Sequence, residues 1–491
     1  MTTPATTPVL VGVAQRTWRD GAAPEPLDQM VDVARAAASD SGASGDVLGA
    51  IDSARVVHCM SWPYDDPPGR VAGRLGLVDG HRHYTGIGGT TPQVQVNDAA
   101  EAILRGVHDA VLIVGAEALD TKRQLKKVGE RPAWSHRNPE KVPFPLEHPP
   151  HPGEIAHGLF SAFLTFALFD NARKAALGAS RDTYRSAMGQ LLAPMTTIAA
   201  KNPHAWFPIE RSADEIVTPT PDNRLVGEPY TKLSVAIMDV DMAAALILTS
   251  EARADELGVP REQRIYPRGW AYGEEVWNLA ERDDMSAAPG LGLVAEAALD
   301  AARLTIEDIG PLDLYSCFAS SLHLACDQLG IDPTGRPLTV TGGLPYAGGP
   351  ANNYMSHSIA ALAEALRAEG GAGLVSGVGM HMTKHVFGVY ATEPGPLAPV
   401  DSDRLQQRID ALPTRSITRG EGPATIVAWT MTYERDGSPK ELLAVCELPD
   451  GHRTYAATTE AATLDAATAE EIVGTTVTLS PGADGKTLLS T

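Results

Sequence analysis

The stretch TGIGGTTPQVQVNDAAEAIL (85–104) runs from a glycine turn into an alanine-rich helical pattern. A helix start offers unpaired N–H groups and the positive end of the macrodipole, so a thiol placed there is activated as a nucleophile. Gly88 and Gly89 stand where such a side chain belongs. A second turn, GGLPYAGGP (342–350), leads into Asn352, Asn353, Tyr354 and His357 at the start of another helical pattern. Its N–H groups suit an anion or oxyanion, and Asn352 or Asn353 equally suits an N-cap. With no side chains at Gly88, Gly89, Gly348 and Gly349, and with Thr90 beside the first pair, a narrow ligand arm has access to backbone.

Other residues carry titratable groups. Tyr315 and Cys317 lie in DLYSCFASSL, at the end of a short apolar segment. A phenol takes part in proton transfer when its pKa is shifted, whereas a core tyrosine is the alternative; Cys317 could face a cleft or lie buried, as free cysteines commonly do. His357, His381 and His385 change charge near neutrality, and His385 in MTKH is the preferred base. His148, His151, Glu154 and His157 are interrupted by prolines and read as a loop, with no metal expected. Lys122, Arg123, Lys126 and Lys127 in TKRQLKK form a basic cluster fit for phosphate or simply for solvent.

The elements that position these groups are written twice. AEAILRGVHDAVLIVGAEA (100–118) resembles AEALRAEGGAGLVSGVGMH (363–381), and Gly49–Asp52 matches Gly310–Asp313 at nearly the same offset. Helical periodicity alternating with short apolar strands predicts a duplicated, layered α/β fold. The first half is expected over 1–119 plus 226–255, an inserted lid over 120–225, and the second half over 256–395. After TEPGPLAPVDSD the pattern becomes alternating strands with Asp436-Gly437 and Asp450-Gly451 turns, which predicts a small β-barrel over 400–491.

With 491 residues, 43% hydrophobic and 21% charged, the chain has the composition of a multidomain globular protein. A net charge of −21 argues against nucleic acid as a partner. The four cysteines show no CxxC spacing, which suits a reducing compartment. No apolar run approaches a membrane span, and MTTPATTPVLVGVAQRTW lacks the layout of a secretory signal, so a cytoplasmic location is expected.

The segments VGVAQR, YTKLSVAIMDVDMAAALIL, DLYSCFASSL and TVTGGLPYAGGPANNYMSHSIA together resemble the thiolase superfamily over residues 8 to about 392. With the extra β tail, the chain is similar to the thiolase-like proteins of type 1, relatives of the sterol-carrier-protein-X thiolases. The resemblance implies a layered α-β-α-β-α fold, CoA or an acyl-CoA as ligand, and the nucleotide portion near Lys122 and Arg123. It puts the family's acyl-accepting cysteine at Gly88, or at Gly89 one step along. The family's histidine falls at Gly349, its second cysteine at Val375 or Ser376, and its oxyanion donor at Tyr315.

The resulting expectation is a protein that binds or acts on CoA thioesters without cysteine-dependent thiolysis, with Tyr315 as hydrogen-bond donor and a histidine moving protons. A retro-aldol lyase acting on a β-hydroxyacyl-CoA fits such a set, since it needs no acyl acceptor. Non-catalytic thioester binding and a scaffold subunit engaging a protein through the barrel are the alternatives. The chain is expected to be a monomer or a homodimer.

Overall fold

The computed structural model describes residues 4–140 and 145–491. The first sheet is built from β1 (Pro8–Thr17), β2 (Ser53–Val56), β3 (His81–Tyr84) and β4 (Ala110–Ala118). The chain then leaves it for the inserted lid, whose long helices are Ala162–Ala176 and Arg181–Lys201 and which ends in the small hairpin β5 (Leu225–Gly227) and β6 (Tyr230–Thr231). It returns as β7 (Asp241–Ser250) into the sheet, whose order is β1-β7-β4-β2-β3. The entirely buried run DMAAALILTS of β7 reflects a strand covered on both faces.

The second half repeats this plan with β8 (Tyr266–Glu274), β9 (Ile309–Asp313), β10 (Ala372–Gly379) and β11 (Lys384–Ala391), ordered β8-β11-β10-β9. The repeat read from sequence therefore sets β4 against β10. Two helices that follow the glycine turns, Thr91–Leu104 and Tyr354–Glu369, pack on one another and on both sheets, forming the central layer. Each is buried nearly all round, as a helix between two sheets must be. Gln93 ties the first to β11: its amide oxygen accepts from the Tyr390 hydroxyl at 2.7 Å. Helix Pro26–Asp40 covers the outside of the first sheet, and helix Pro289–Ala302 the outside of the second. The fold is thus the layered thiolase arrangement with its lid.

The tail closes into a five-stranded barrel of β12 (Gly422–Tyr433), β13 (Pro439–Glu447), β14 (Arg453–Thr458), β15 (Thr476–Pro481) and β16 (Thr487–Ser490). Closure leaves no strand edge open. The barrel does not hang free. The buried Glu228 of the lid binds Arg181 and Arg185 at 2.6 and 2.8 Å and accepts from the barrel's Tyr433 hydroxyl at 2.6 Å. Glu154 accepts from the Tyr455 hydroxyl at 2.7 Å and from the backbone N–H of Leu279 at 2.9 Å. Barrel, lid and second half are thereby locked together.

Candidate functional site

The first glycine turn and the end of β10 meet at the N-terminus of the central helix Thr91–Leu104. Gly88 has φ 139°, a conformation L side chains rarely adopt, and a Cβ built there meets no atom closer than 3.7 Å. Gly89 is the opposite. A Cβ there would lie 2.1 Å from the Tyr315 hydroxyl and 2.3 Å from the Val378 carbonyl oxygen. The position with room for a Cβ is Gly88, lined by Thr90, Thr91 and Lys384, and the phenol of Tyr315 has closed over its neighbour.

Tyr315 is held from both sides. Its backbone N–H donates to Ser376 Oγ at 2.9 Å, and its ring packs edge-on against Tyr354 at 5.6 Å. Burial pushes its hydroxyl pKa far above the ordinary phenol value, with the Cys317 thiol adding to the rise. The group is therefore a proton-bearing hydrogen-bond donor at neutral pH rather than a base. Val375 and Ser376, aligned with the family's second cysteine, are buried; Ser376 serves Tyr315, and the β10 residue that reaches Gly89 is Val378.

The second turn serves the first. Asn352 accepts from the Gly88 N–H at 2.8 Å and donates to the His58 carbonyl at 3.0 Å. Asn353 donates to the Gly115 carbonyl at 2.8 Å and accepts from Ser356 Oγ at 2.7 Å. Asn353 stands at the N-cap position of helix Tyr354–Glu369 without a side-chain cap hydrogen bond, and both amides are buried and span the two halves. Gly349 is confined, with the Ile237 carbonyl 3.2 Å from an added Cβ, and Gly348 has φ 102° with Met242 Sδ at 2.8 Å. Thr90 is buried at the helix start.

Side-chain placement bears on three of these residues, and for Cys317 it gives the buried one of its two readings. Cys317 is buried against Ser321 Oγ at 3.6 Å, and burial lifts its thiol to about 12, so it stays protonated and is no nucleophile. His357 bonds to Gln15 at 3.2 Å, and burial lowers it to about 3. His385, the preferred base, is fully buried and bonds through Nε2 to Glu275 at 3.1 Å. Burial pushes the Glu275 carboxyl up, but Arg282 and His385 outweigh it and hold it at about 2. Both imidazoles are buried and engaged with side chains of the body. His381 bonds to Thr165 at 2.8 Å, and burial lowers it to about 4.

The residue sequence reasoning passed over is Lys384, next to His385. Its Cδ lies 4.0 Å from the vacant Cβ position of Gly88, and its ammonium binds Glu147 from the lid. In a strand, successive side chains take opposite faces, so Lys384 looks inward to the turn while His385 looks outward to Glu275. The lid histidines are dispersed: His148 packs tilted against Trp277, ring centroids 4.3 Å apart, His151 caps the helix Pro152–Ala156, and His157 accepts from the Thr487 N–H at 3.0 Å. Among the described residues, no group of three or more metal-ligating side chains comes together.

A cavity of about 700 Å³ opens between lid and body, lined among others by Phe207, Arg211, Asn223, Lys232, Ala236 and Tyr346. Its wall is joined to the turns: the Ala236 N–H donates to the Cys317 carbonyl at 3.0 Å, and the Gly349 N–H to the Ile237 carbonyl at 2.8 Å. Among the described residues, none hydrogen-bonds to the buried Tyr346 hydroxyl there. Lys122 is exposed, whereas Arg123 is engaged with Asp120 and, at 3.3 Å, with Asp239.

Residues 404–486 match the family model of the thiolase-like protein type 1 additional C-terminal domain. The curated acetyl-CoA acetyltransferase of Methanothermobacter thermautotrophicus is 26% identical over 210 residues, 40% of this chain and 53% of that protein, so the match spans about half the relative's length. The crystal structure of a monomeric SCP2-thiolase-like protein type 1 from Mycobacterium smegmatis is 33% identical, with a TM-score of 0.88 and 100% coverage of both chains. The acetyl-CoA acetyltransferase of Syntrophomonas wolfei (16% identity, TM-score 0.56, covering 79% of this chain and 99% of that one) shares the fold. So does the Ltp2-ChsH2(DUF35) aldolase (18% identity, TM-score 0.60, 79% and 98% coverage). By full-length identity with the mycobacterial structure, and by the match of its barrel to the family's extra domain, this chain belongs to the thiolase-like protein type 1 family.

Proposed function

We propose that this protein binds a CoA thioester and carries out carbon–carbon chemistry on it without a covalent acyl-enzyme. The observation that carries this reading is the exchange at the first turn. Gly88 carries no nucleophile and has room for a Cβ at ordinary contact distance from Thr90, Thr91 and Lys384, and the Tyr315 hydroxyl occupies the space beside Gly89. A protonated phenol at a helix start, where backbone dipoles favour negative charge, suits an oxygen that gains charge during reaction. Retro-aldol cleavage of a β-hydroxyacyl-CoA asks for this donor and for no acyl acceptor.

The cavity beside the turns supports the ligand class. About 700 Å³ suits a pantetheine arm and part of a nucleotide. The orphaned Tyr346 hydroxyl offers a hydrogen bond, and Arg211 and Lys232 offer charge to phosphates beside the carboxylates Asp214, Glu215 and Asp222. The larger cavity, about 830 Å³, includes Glu274, Glu275, Glu281, Asp283, Asp284 and Asp410 in its lining and repels a polyphosphate. Lys122 lies exposed on the lid as a further phosphate contact.

Calorimetric titration of the purified chain with CoA tests the reading before any acyl group is chosen. Micromolar binding is expected, weakened by Arg211→Ala and unaffected by Tyr315→Phe. Absence of binding at millimolar CoA would overturn it in favour of a scaffold role.

A further inference from the structure

Lys384 sits in an unbalanced electrostatic position. Its side chain is 6% exposed, its stem lies 3.1 to 3.2 Å from an added Cβ on Gly379, and its ammonium stands 5.4 Å from the centre of the Trp277 ring. Among the described residues its one ion-pair partner is Glu147, whose side chain is 42% exposed on the lid segment. Glu147 also approaches the turn: one carboxylate oxygen lies 3.6 Å from an added Cβ on Gly86. Removing a buried cation from its counter-charge is costly unless another anion takes over. Here the counter-charge comes from a partly exposed segment, and the stem of the cation passes 4.0 Å from an added Cβ on Gly88.

We propose that Lys384 and Glu147 are the catalytic pair of this site, acting to form and hold the enolate of a CoA thioester. This rests on the thioester reading above. In the elementary step the Glu147 carboxylate takes the proton from the α-carbon. The C–H electron pair moves through the α-carbon to the carbonyl oxygen, and the Lys384 ammonium, released from Glu147, stabilises that oxygen with the Tyr315 hydroxyl. Protonation of the α-carbon by Glu147 reverses the step. With a β-hydroxyacyl-CoA the same groups act on a different bond. Glu147 takes the hydroxyl proton, the α–β carbon bond breaks, its pair enters the enolate, and the proton held by Glu147 is delivered to the α-carbon. The products are an acyl-CoA and an aldehyde or ketone, and no oxidant or co-reactant is consumed.

Acetyl-CoA in deuterated buffer probes the step directly, because enolisation exchanges the α-protons and mass spectrometry counts the deuterium incorporated. The wild-type chain is expected to catalyse exchange. Lys384→Met should slow it about 100-fold or more, as loss of an oxyanion-stabilising group does. Lys384→Arg should restore part of the rate, and Glu147→Gln, whose amide oxygen can still accept from the Lys384 ammonium, should slow it about 100-fold as loss of a base. CoA binding heat should persist in all variants. Exchange at the wild-type rate in Lys384→Met or Glu147→Gln would overturn the assignment of that residue. CoA binding without exchange in the wild type would overturn the pair while leaving the binding reading intact. Failure to bind CoA at all would sink both.

Discussion

The Tyr315 hydroxyl lies so close to Gly89 that a single Cβ there would come within 2.1 Å of it. Residue 89 therefore accepts only glycine while residue 315 is a tyrosine. Gly89→Ala is expected to destabilise the fold by about 1–3 kcal/mol, the usual cost of overpacking. Tyr315→Phe should relieve only a small part of that cost, because the ring Cζ that phenylalanine keeps lies 2.5 Å and the Val378 carbonyl oxygen 2.3 Å from the same Cβ. Chemical denaturation of the two single variants and the double variant measures the coupling; strict additivity would mean that the two residues do not share this space.

Restoring a thiol at the vacant position should not restore thiolysis. Gly88→Cys introduces a side chain that meets no overlap at a half-buried position, so it should react with Ellman's reagent under native conditions, where the buried native cysteines do not. The family's proton-transferring histidine is still absent at Gly349, and φ 139° at residue 88 strains any L side chain. Acetoacetyl-CoA thiolysis should remain at background.

Glu228 is the acid-sensitive latch between lid and barrel. Burial pushes its carboxyl up, but Arg181, Arg185 and Tyr433 outweigh this and hold it below the ordinary 4.5. Its contribution is present above that value and is lost as pH falls through the lowered one. Glu228→Gln leaves two arginines without their buried partner and should cost about 3–5 kcal/mol at pH 7. Comparing urea unfolding of wild type and variant at pH 7 and pH 3.5 tests this, the expected outcome being a smaller gap at the lower pH.

Glu117 makes the opposite contribution. Burial raises its carboxyl from 4.5 to about 7, despite hydrogen bonds from the Met60 and Ser61 N–H groups and the Ser61 hydroxyl. The folded state keeps a proton that the unfolded state releases, so stability is full below about 4.5 and falls as pH rises to about 7, by up to about 3 kcal/mol. Glu117→Gln should flatten that slope while costing about 1–3 kcal/mol at pH 5, where one donor loses its acceptor. Unfolding free energies between pH 5 and 8 give both numbers; an unchanged slope in the variant would exclude Glu117 as its source.

Covalent order alone determined much of this protein. The two matching helix-strand segments announced a duplicated α/β body, the Asp-Gly turns between alternating strands announced the barrel, and glycines stand at 88, 89 and 349, where the thiolase resemblance puts a nucleophile and a histidine. These are local facts, written in periodicity and residue type. Tertiary structure decided which side chains face the vacant turn. His385 and Lys384 are adjacent, and their types favoured the histidine as base, but the pleat of β11 sends them to opposite faces. The register that turns Gly388 and Tyr390 toward Gln93 of the central helix turns Lys384 inward with them. Glu147, read only as part of a proline-rich loop, reaches Lys384 from 237 residues away. Asn352, read as a cap or an anion ligand, spends its amide on Gly88 and His58. Pairings of this kind depend on strand register and on how the two halves pack, and no short window of sequence contains either.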